Sequence, residues 1–482
     1  MSSTYKFPAA AIRHRLKHPV IDSDGHFIES MPAFLDYLKA AAGAGLANRF
    51  ESAWASSHIS AQSWYKLSPD QRRDRRATRA PWFTLPTKNT LDRATAMFPK
   101  LLFERLDEIG LDFTVMYPGL GLVVPALDDE EMRRASCRAL NNLYADLFRD
   151  FARRIAPVGI IPMHTPQEAV EELEHAVRGL GLKAVMMASY VKRPVKAIAA
   201  RYPEAASYAF WLDTYGIDSE YDYDPVWAKC VDLGVAPTFH TAGYGWAWRN
   251  SISNFMFNHI GHFAASAEGL CRSLFMGGVT RRFPRLKCAF LEGGVGWARS
   301  LLSDSIGHWE KRTPAVLENY DPAGLDREMM LDLSERFGGP LCALSKVEFL
   351  AATHPEDSTA VDEWAPCNIR RKEDLRDLFV PHFYFGCEGD DPVTASAFDA
   401  KRNPFNARLK AVYGSDIGHW DVPDMREVIN EAYEMVEKDL ISEQDFRDFV
   451  FVNPVELWTG LNPDFFKGTV VESEVERLAL EK

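Results

Sequence analysis

The chain has 482 residues, 46% of them hydrophobic and 26% charged, which supplies a large core and excludes a disordered or low-complexity protein. Lysine and arginine total 55 against 68 aspartates and glutamates, a net charge of −13, and no basic block follows a phosphate backbone, so nucleic acid is set aside as a partner. No apolar run reaches the roughly 18–20 residues of a membrane span, and charges interrupt the start of the chain where a signal peptide needs an apolar core, so a cytoplasmic protein without a membrane partner is expected.

In chain order, short β-branched or aromatic runs predict strands at 20–27, 113–118, 155–162, 182–189, 236–241, 287–293, 383–388 and 411–416. Helical segments separate them. Residues 128–153 open on an acidic Leu-Asp-Asp-Glu start, Thr165-Pro-Gln-Glu168 is a capping box with proline at the first helical position, and Asp224-Pro225 opens a helix that ends at Gly234. Eight βα units predict one α/β domain over 1–482, a (β/α)8 TIM barrel. About 250 residues make such a barrel, so the remainder forms large insertions near 40–98, 190–223 and 310–380. Seven scattered cysteines, none in a C-x-x-C pair, fit neither a disulfide framework nor a thiolate zinc site and are expected to be reduced and buried.

Side chains at the carboxyl ends of barrel strands converge on one face, and here they are polar. Strand one ends Asp22-Ser-Asp24-Gly-His26-Phe-Ile-Glu29, and the period of two points Asp24 and His26 the same way. Strand five terminates in His240, strand six in Glu292 and strand eight in Asp416, with His419 three residues on. One such residue is ordinarily structural; four strands ending this way point to a site. Asp24, His26, His240 and Asp416 form a mixed nitrogen and oxygen set suited to Zn²⁺, Mn²⁺ or Fe²⁺, and a metal there would activate water and polarise a substrate oxygen.

The patterns Val20-Ile-Asp-Ser-Asp-Gly-His-Phe-Ile-Glu29, Phe290-Leu-Glu-Gly-Gly-Val-Gly-Trp297 and Tyr413-Gly-Ser-Asp-Ile-Gly-His419 resemble the amidohydrolase-related family of the amidohydrolase superfamily. That family includes aminocarboxymuconate-semialdehyde and resorcylate-type decarboxylases and some carbon–carbon bond hydrolases. The resemblance covers strand one and most of 100–470, including the tail Phe446-Arg-Asp-Phe-Val-Phe-Val-Asn-Pro454. It implies a distorted barrel with a divalent metal and carries ligand roles onto Asp24, His26, His240 and Asp416. Asp24 stands where many superfamily members have histidine, as an acidic residue does in the resorcylate-type enzymes. Glu292 stands where the decarboxylases carry a proton-transferring histidine, a departure that counts against decarboxylation. Strand four holds only Lys183, at its start, so no carbamylated bridging lysine is apparent and one metal is the simplest count.

The residues leave several roles open. Glu292 is either the acid/base group acting on metal-bound water, a carboxylate held by the amides of Gly293 and Gly294, or a metal ligand. As a ligand it would join Asp24, Asp416, His26, His240 and either His262 or His419 in a dinuclear iron or manganese site, as in the oxygenases known within this family. His419 is expected to orient a ligand or substrate beside Asp416. His259 and His262, three apart on a predicted helix, could share a face, with core, interface and catalytic roles all open. Tyr244, Trp246 and Trp248 either line a pocket or pack on the 40–98 insertion. Glu388 follows strand seven at the same face, Asp390 and Asp391 are read as helix caps, and His164, His308 and His382 are weaker candidates. The first expectation is a metal-dependent hydrolase attacking a C–N or C–C bond beside a carbonyl in a small, cyclic organic acid. The rivals are a decarboxylase, a dinuclear oxygenase and a non-catalytic partner subunit; the aromatic insertions also fit a homo-oligomer.

Overall fold

A computed structural model describes residues 8–56, 61–81, 88–242, 249–320, 324–339 and 362–481. Its strands are β1 (Ile21–Phe27), β2 (Phe113–Pro118), β3 (Ile155–Ile161), β4 (Ala184–Met187), β5 (Val191–Pro194), β6 (Phe210–Asp213), β7 (Pro237–Phe239), β8 (Cys288–Phe290), β9 (Phe383–Glu388) and β10 (Lys410–Gly414). Eight of them form one sheet in the order β1-β2-β3-β4-β7-β8-β9-β10, every neighbouring pair parallel. The two ends of that order meet just beyond β10, where the Asp416 amide donates to Asp24 O (2.9 Å) and the His26 amide to Ile417 O (2.6 Å). The barrel expected from the sequence is therefore present.

β2 and β4 are buried at every position, as strands covered on both faces must be, and this is why they read as apolar runs. β1 is the exception in composition, since Asp22, Ser23, Asp24 and His26 are buried polar residues. Across the interior, the Tyr117 hydroxyl donates to Thr238 Oγ1 (2.9 Å), which donates to Val185 O (2.7 Å), tying β2 to β7 and β4. Outside, α1 (Met31–Ser56) follows β1, α2 (Glu130–Phe148) follows β2 and α3 (Pro166–Leu173) follows β3. The Thr165 capping box is formed, with the Glu168 amide on Thr165 Oγ1 (3.2 Å) and the Thr165 amide on Glu168 Oε1 (2.7 Å). α4 (Asp224–Leu233) ends at Gly234 in the left-handed conformation, φ +69°.

The structure also corrects several expectations. The insertion at 190–223 carries an antiparallel hairpin, β5 with β6, held by Arg193 Nε on Asp213 Oδ2 (3.0 Å). Four-residue strands, one of them Val-Lys-Arg-Pro, are too short for periodicity to reveal. The strands at 236–241, 287–293 and 411–416 stop short because their polar ends leave the ladder. His259 and His262 share no helix face. One helix ends at His259, Gly261 takes φ +69°, and α5 (His262–Met276) begins afresh. Trp82, Cys342, Tyr244, Trp246 and Trp248 lie outside the described residues; the six described cysteines are unpaired and buried. Among the described residues no helix is long and apolar enough to cross a membrane.

Candidate metal centre

The β1–β2 register runs Asp22↔Thr114 and then Gly25↔Met116, placing one extra residue on β1. Such a bulge re-aims side chains at a barrel rim. Asp24 and His26 do meet, with Asp24 Oδ1 3.4 Å from His26 Nε2, both buried. Asp22, two residues earlier, does not join them: its carboxylate lies between Thr114 and Ser415.

His240 follows β7 directly. Its Nδ1 donates to Thr241 O (3.1 Å), which fixes the tautomer and leaves Nε2 to face Glu292 Oε2 at 3.0 Å and Asp24 Oδ1 at 4.0 Å. Glu292 and Asp416 each sit two residues past a strand, β8 and β10, with φ of +55° and +51°. Non-glycine residues held there cost about 1–3 kcal/mol each and cluster at functional sites. Asp416 Oδ1 is 3.2 Å from His26 Nε2 and 2.6 Å from His419 Nδ1. The turn that returns His419 requires glycine at Gly418, whose φ is +91° and whose hypothetical Cβ would lie 2.1 Å from His26 O. The His419 ring then stacks on His26, centroids 3.6 Å apart.

Donor atoms of His26, Glu292, Asp416 and His419 all lie within 4.8 Å of one another, and so do those of Asp24, His26 and His240. The two sets share His26. Asp24 Oδ1, both His26 nitrogens, His240 Nε2, Glu292 Oε2 and both Asp416 oxygens are buried without a hydrogen-bond partner. Leaving so many polar atoms unsatisfied is costly unless a ligand completes them. Mixed imidazole and carboxylate donors fit a divalent Zn, Mn or Fe ion.

Electrostatics point the same way. Burial pushes the carboxyls of Asp24 and Glu292 up, and Asp416, Glu388 and Asp24 push Glu292 further. Burial opposes charge on Asp416 too, yet His419 and His26 hold it below the usual carboxylate range. Burial alone would lower His26, but Asp24 and Asp416 outweigh it and raise the imidazole to about 10. His240 is held well below its ordinary value by burial and by His26 and His419. The amides of Gly293 and Gly294 do not hold Glu292; Gly294 N bonds Gly386 O at 3.0 Å instead.

Two acidic neighbours were undervalued in the sequence. Glu388, at the end of β9, lines one small crevice with Asp24, Glu292 and Asp416, and that lining includes no lysine or arginine. Its strand-end position was the available signal. Asp421 is raised to about 8 by burial and by Asp416, and no motif marked it. His262 lies behind His240, with Nε2 3.2 Å from Thr241 Oγ1, and belongs to neither donor set. His259 Nε2 is 3.9 Å from Asp421 Oδ2. Asp391 caps the following turn through the Val393 amide (2.9 Å), as expected. Lys183 donates to Phe465 O (2.7 Å) at the opposite end of β4. His382 and His308 bond backbone carbonyls away from the site.

A family model described as amidohydrolase matches residues 104–357 of the chain. Among solved structures, an amidohydrolase from Mycobacterium avium subsp. paratuberculosis is similar over 92% of this chain and 100% of its own, at 18% identity and a TM-score of 0.54, and shares the fold. A 5-carboxyvanillate decarboxylase from Novosphingobium aromaticivorans, solved with manganese and a nitrobenzoic acid, covers 92% of this chain and 96% of its own, at 14% identity and a TM-score of 0.49. A dihydroxybenzoic acid decarboxylase from Polaromonas, with manganese and 2-nitroresorcinol, covers 93% and 99%, at 15% identity and a TM-score of 0.47.

Proposed function

The chain belongs to the amidohydrolase family, and on that premise we propose that it is a metal-dependent carboxy-lyase acting on a small cyclic acid. Asp24, His26, His240 and Asp416 would hold the metal, and Glu292 would handle the proton. The observation that carries the reading is the position of Glu292: buried, 3.0 Å from His240 Nε2, and grouped with His26, Asp416 and His419 among the candidate donors. Decarboxylation asks this carboxyl to deliver a proton to carbon, whereas hydrolysis, the first expectation from the sequence, asks it to take one from water.

In the lyase reading the substrate carbon bearing the carboxylate accepts a proton from Glu292, and the bond to that carboxylate then breaks to give carbon dioxide and a C–H bond. A divalent metal held by Asp24, His26, His240 and Asp416 would supply positive charge against the substrate carboxylate. His419, against Asp416 and stacked on His26, orients the ligand set or the substrate. The test is turnover of a panel of hydroxybenzoic and alicyclic keto acids in deuterated and in ¹⁸O-labelled water. Carbon dioxide release with solvent deuterium on the decarboxylated carbon is expected. Labelled oxygen from water in a product carboxylate would replace the lyase with the hydrolase.

A second reading has its own support. The donors form two overlapping sets, and four carboxylates line one small space without a cationic side chain. In a dinuclear iron or manganese oxygenase Glu292 becomes a ligand, and Glu292→Gln would then lose a metal equivalent.

A further inference from the structure

Asp22 carries the most complete set of neutral hydrogen bonds around the site, and the proposed chemistry does not use it. Its Oδ1 accepts from Ser415 N (2.9 Å) and Asp24 N (3.2 Å), and its Oδ2 accepts from Thr114 Oγ1 (2.6 Å) and Ser415 Oγ (2.8 Å). The residue is wholly buried. Four donors arrive from β1 itself, from β2 and from the residue after β10, and a carboxylate offers about four acceptor positions to receive them.

The location of this clip gives it meaning. β1 and β10 are the two ends of the strand order, and Asp24 and Asp416 lie on opposite sides of the seam between them. Asp22 holds the amide of Asp24 on one side and both the amide and hydroxyl of Ser415 on the other, immediately before Asp416 enters its left-handed conformation. Room for the carboxylate depends on Gly25, where a Cβ would lie 2.7 Å from Asp22 Oδ2 and 2.9 Å from Thr114 Oγ1. The bulge in β1 falls between the same two residues.

We infer that Asp22 is a positioning residue for the metal centre: by clamping β1 to the residue after β10 it sets the separation of Asp24 and Asp416 and holds Asp416 in its strained turn. This rests on the metal-binding reading above. Asparagine is the informative replacement, because one carbonyl oxygen cannot receive four donors and the amide NH₂ faces other donors instead. Residues that orient metal ligands typically change metal affinity about 10–100-fold when replaced.

The experiment is manganese and zinc affinity by chelator competition on the full chain stripped of metal, with thermal unfolding of the same metal-free samples. Wild type should bind, and Asp22→Asn, whose stranded donors lower the metal-free melting temperature, should still bind about 10–100-fold more weakly when compared below that temperature, where the chain is folded. Ser415→Ala and Thr114→Val, which remove one donor each and leave every proposed ligand in place, should weaken binding severalfold and settle the matter if Asp22→Asn does not fold. Ser415→Ala should have no added effect in the Asp22→Asn background. Folded Asp22→Asn, or folded Ser415→Ala and Thr114→Val, binding metal as wild type does would overturn the positioning role. A wild-type chain that binds no metal would overturn the metal centre itself.

Discussion

Two regions of this molecule bury charge, and they do so in opposite ways. Between α2 and α3, Arg133 sends Nη2 (3.0 Å) and Nε (3.3 Å) to Glu168 Oε2 and Nη1 to Leu127 O (2.7 Å). Glu172 accepts from Arg138 Nε (2.8 Å) and Asn141 Nδ2 (2.7 Å), and Asn141 completes its bonds on the backbone of Ile160. Each carboxylate there faces a guanidinium. At the barrel mouth the carboxylates face imidazoles and one another, and their buried oxygens lack partners. The first region is finished by the chain alone; the second, in the proposed metal centre, is left for a cation to finish, which is how a binding site differs from a structural ion pair.

The largest effect that sharpens this contrast is on turnover. Glu292→Gln keeps the shape and the metal of a mononuclear site but removes the acid, so kcat should fall about 10²–10⁴-fold in a carbon dioxide release assay while metal content is unchanged. Arg133→Met breaks the finished region instead. It should cost about 3–5 kcal/mol in urea unfolding by stranding Glu168, with bound metal per folded chain as in wild type.

A third prediction concerns pH. His382, at the amino end of β9, is lowered to about 4 by burial and by Lys287. The unfolded chain takes up this proton below about 6.5 while the folded chain does not, so stability is complete above that pH and is lost as pH falls toward 4, by about 3 kcal/mol. His382→Gln should flatten the unfolding free energy measured between these limits. The mouth behaves differently, because a metal must displace a proton from His26, whose imidazole the nearby Asp24 and Asp416 carboxylates raise. Metal affinity should therefore rise with pH, about tenfold per unit, in competition titrations below the raised value.

The fold was legible because it rests on buried, apolar strands and strong caps, such as Thr165 with Glu168 and the turn at Gly234. The candidate ligands were legible because His240, Glu292 and Asp416 follow the carboxyl ends of β7, β8 and β10, and Asp24 and His26 lie in the second half of β1. The rest depended on geometry that spacing does not encode. The bulge in β1 separates Asp22 from Asp24 despite their shared period, Gly261 divides His259 from His262, and Asp421 reaches Asp416 through a turn. The β5–β6 hairpin is stabilised by a long-range pair, Arg193 with Asp213, rather than by its own pattern.

The most direct test of the account is metal content of the chain purified without added metal and after reconstitution, by inductively coupled plasma mass spectrometry, for wild type and His240→Ala. The proposed site predicts about one manganese, zinc or iron per wild-type chain and loss of that ion when the Nε2 donor of His240 is removed. A wild-type chain that takes up no divalent metal, or a His240→Ala chain that keeps its full complement, would contradict the assignment of the barrel mouth as a metal centre.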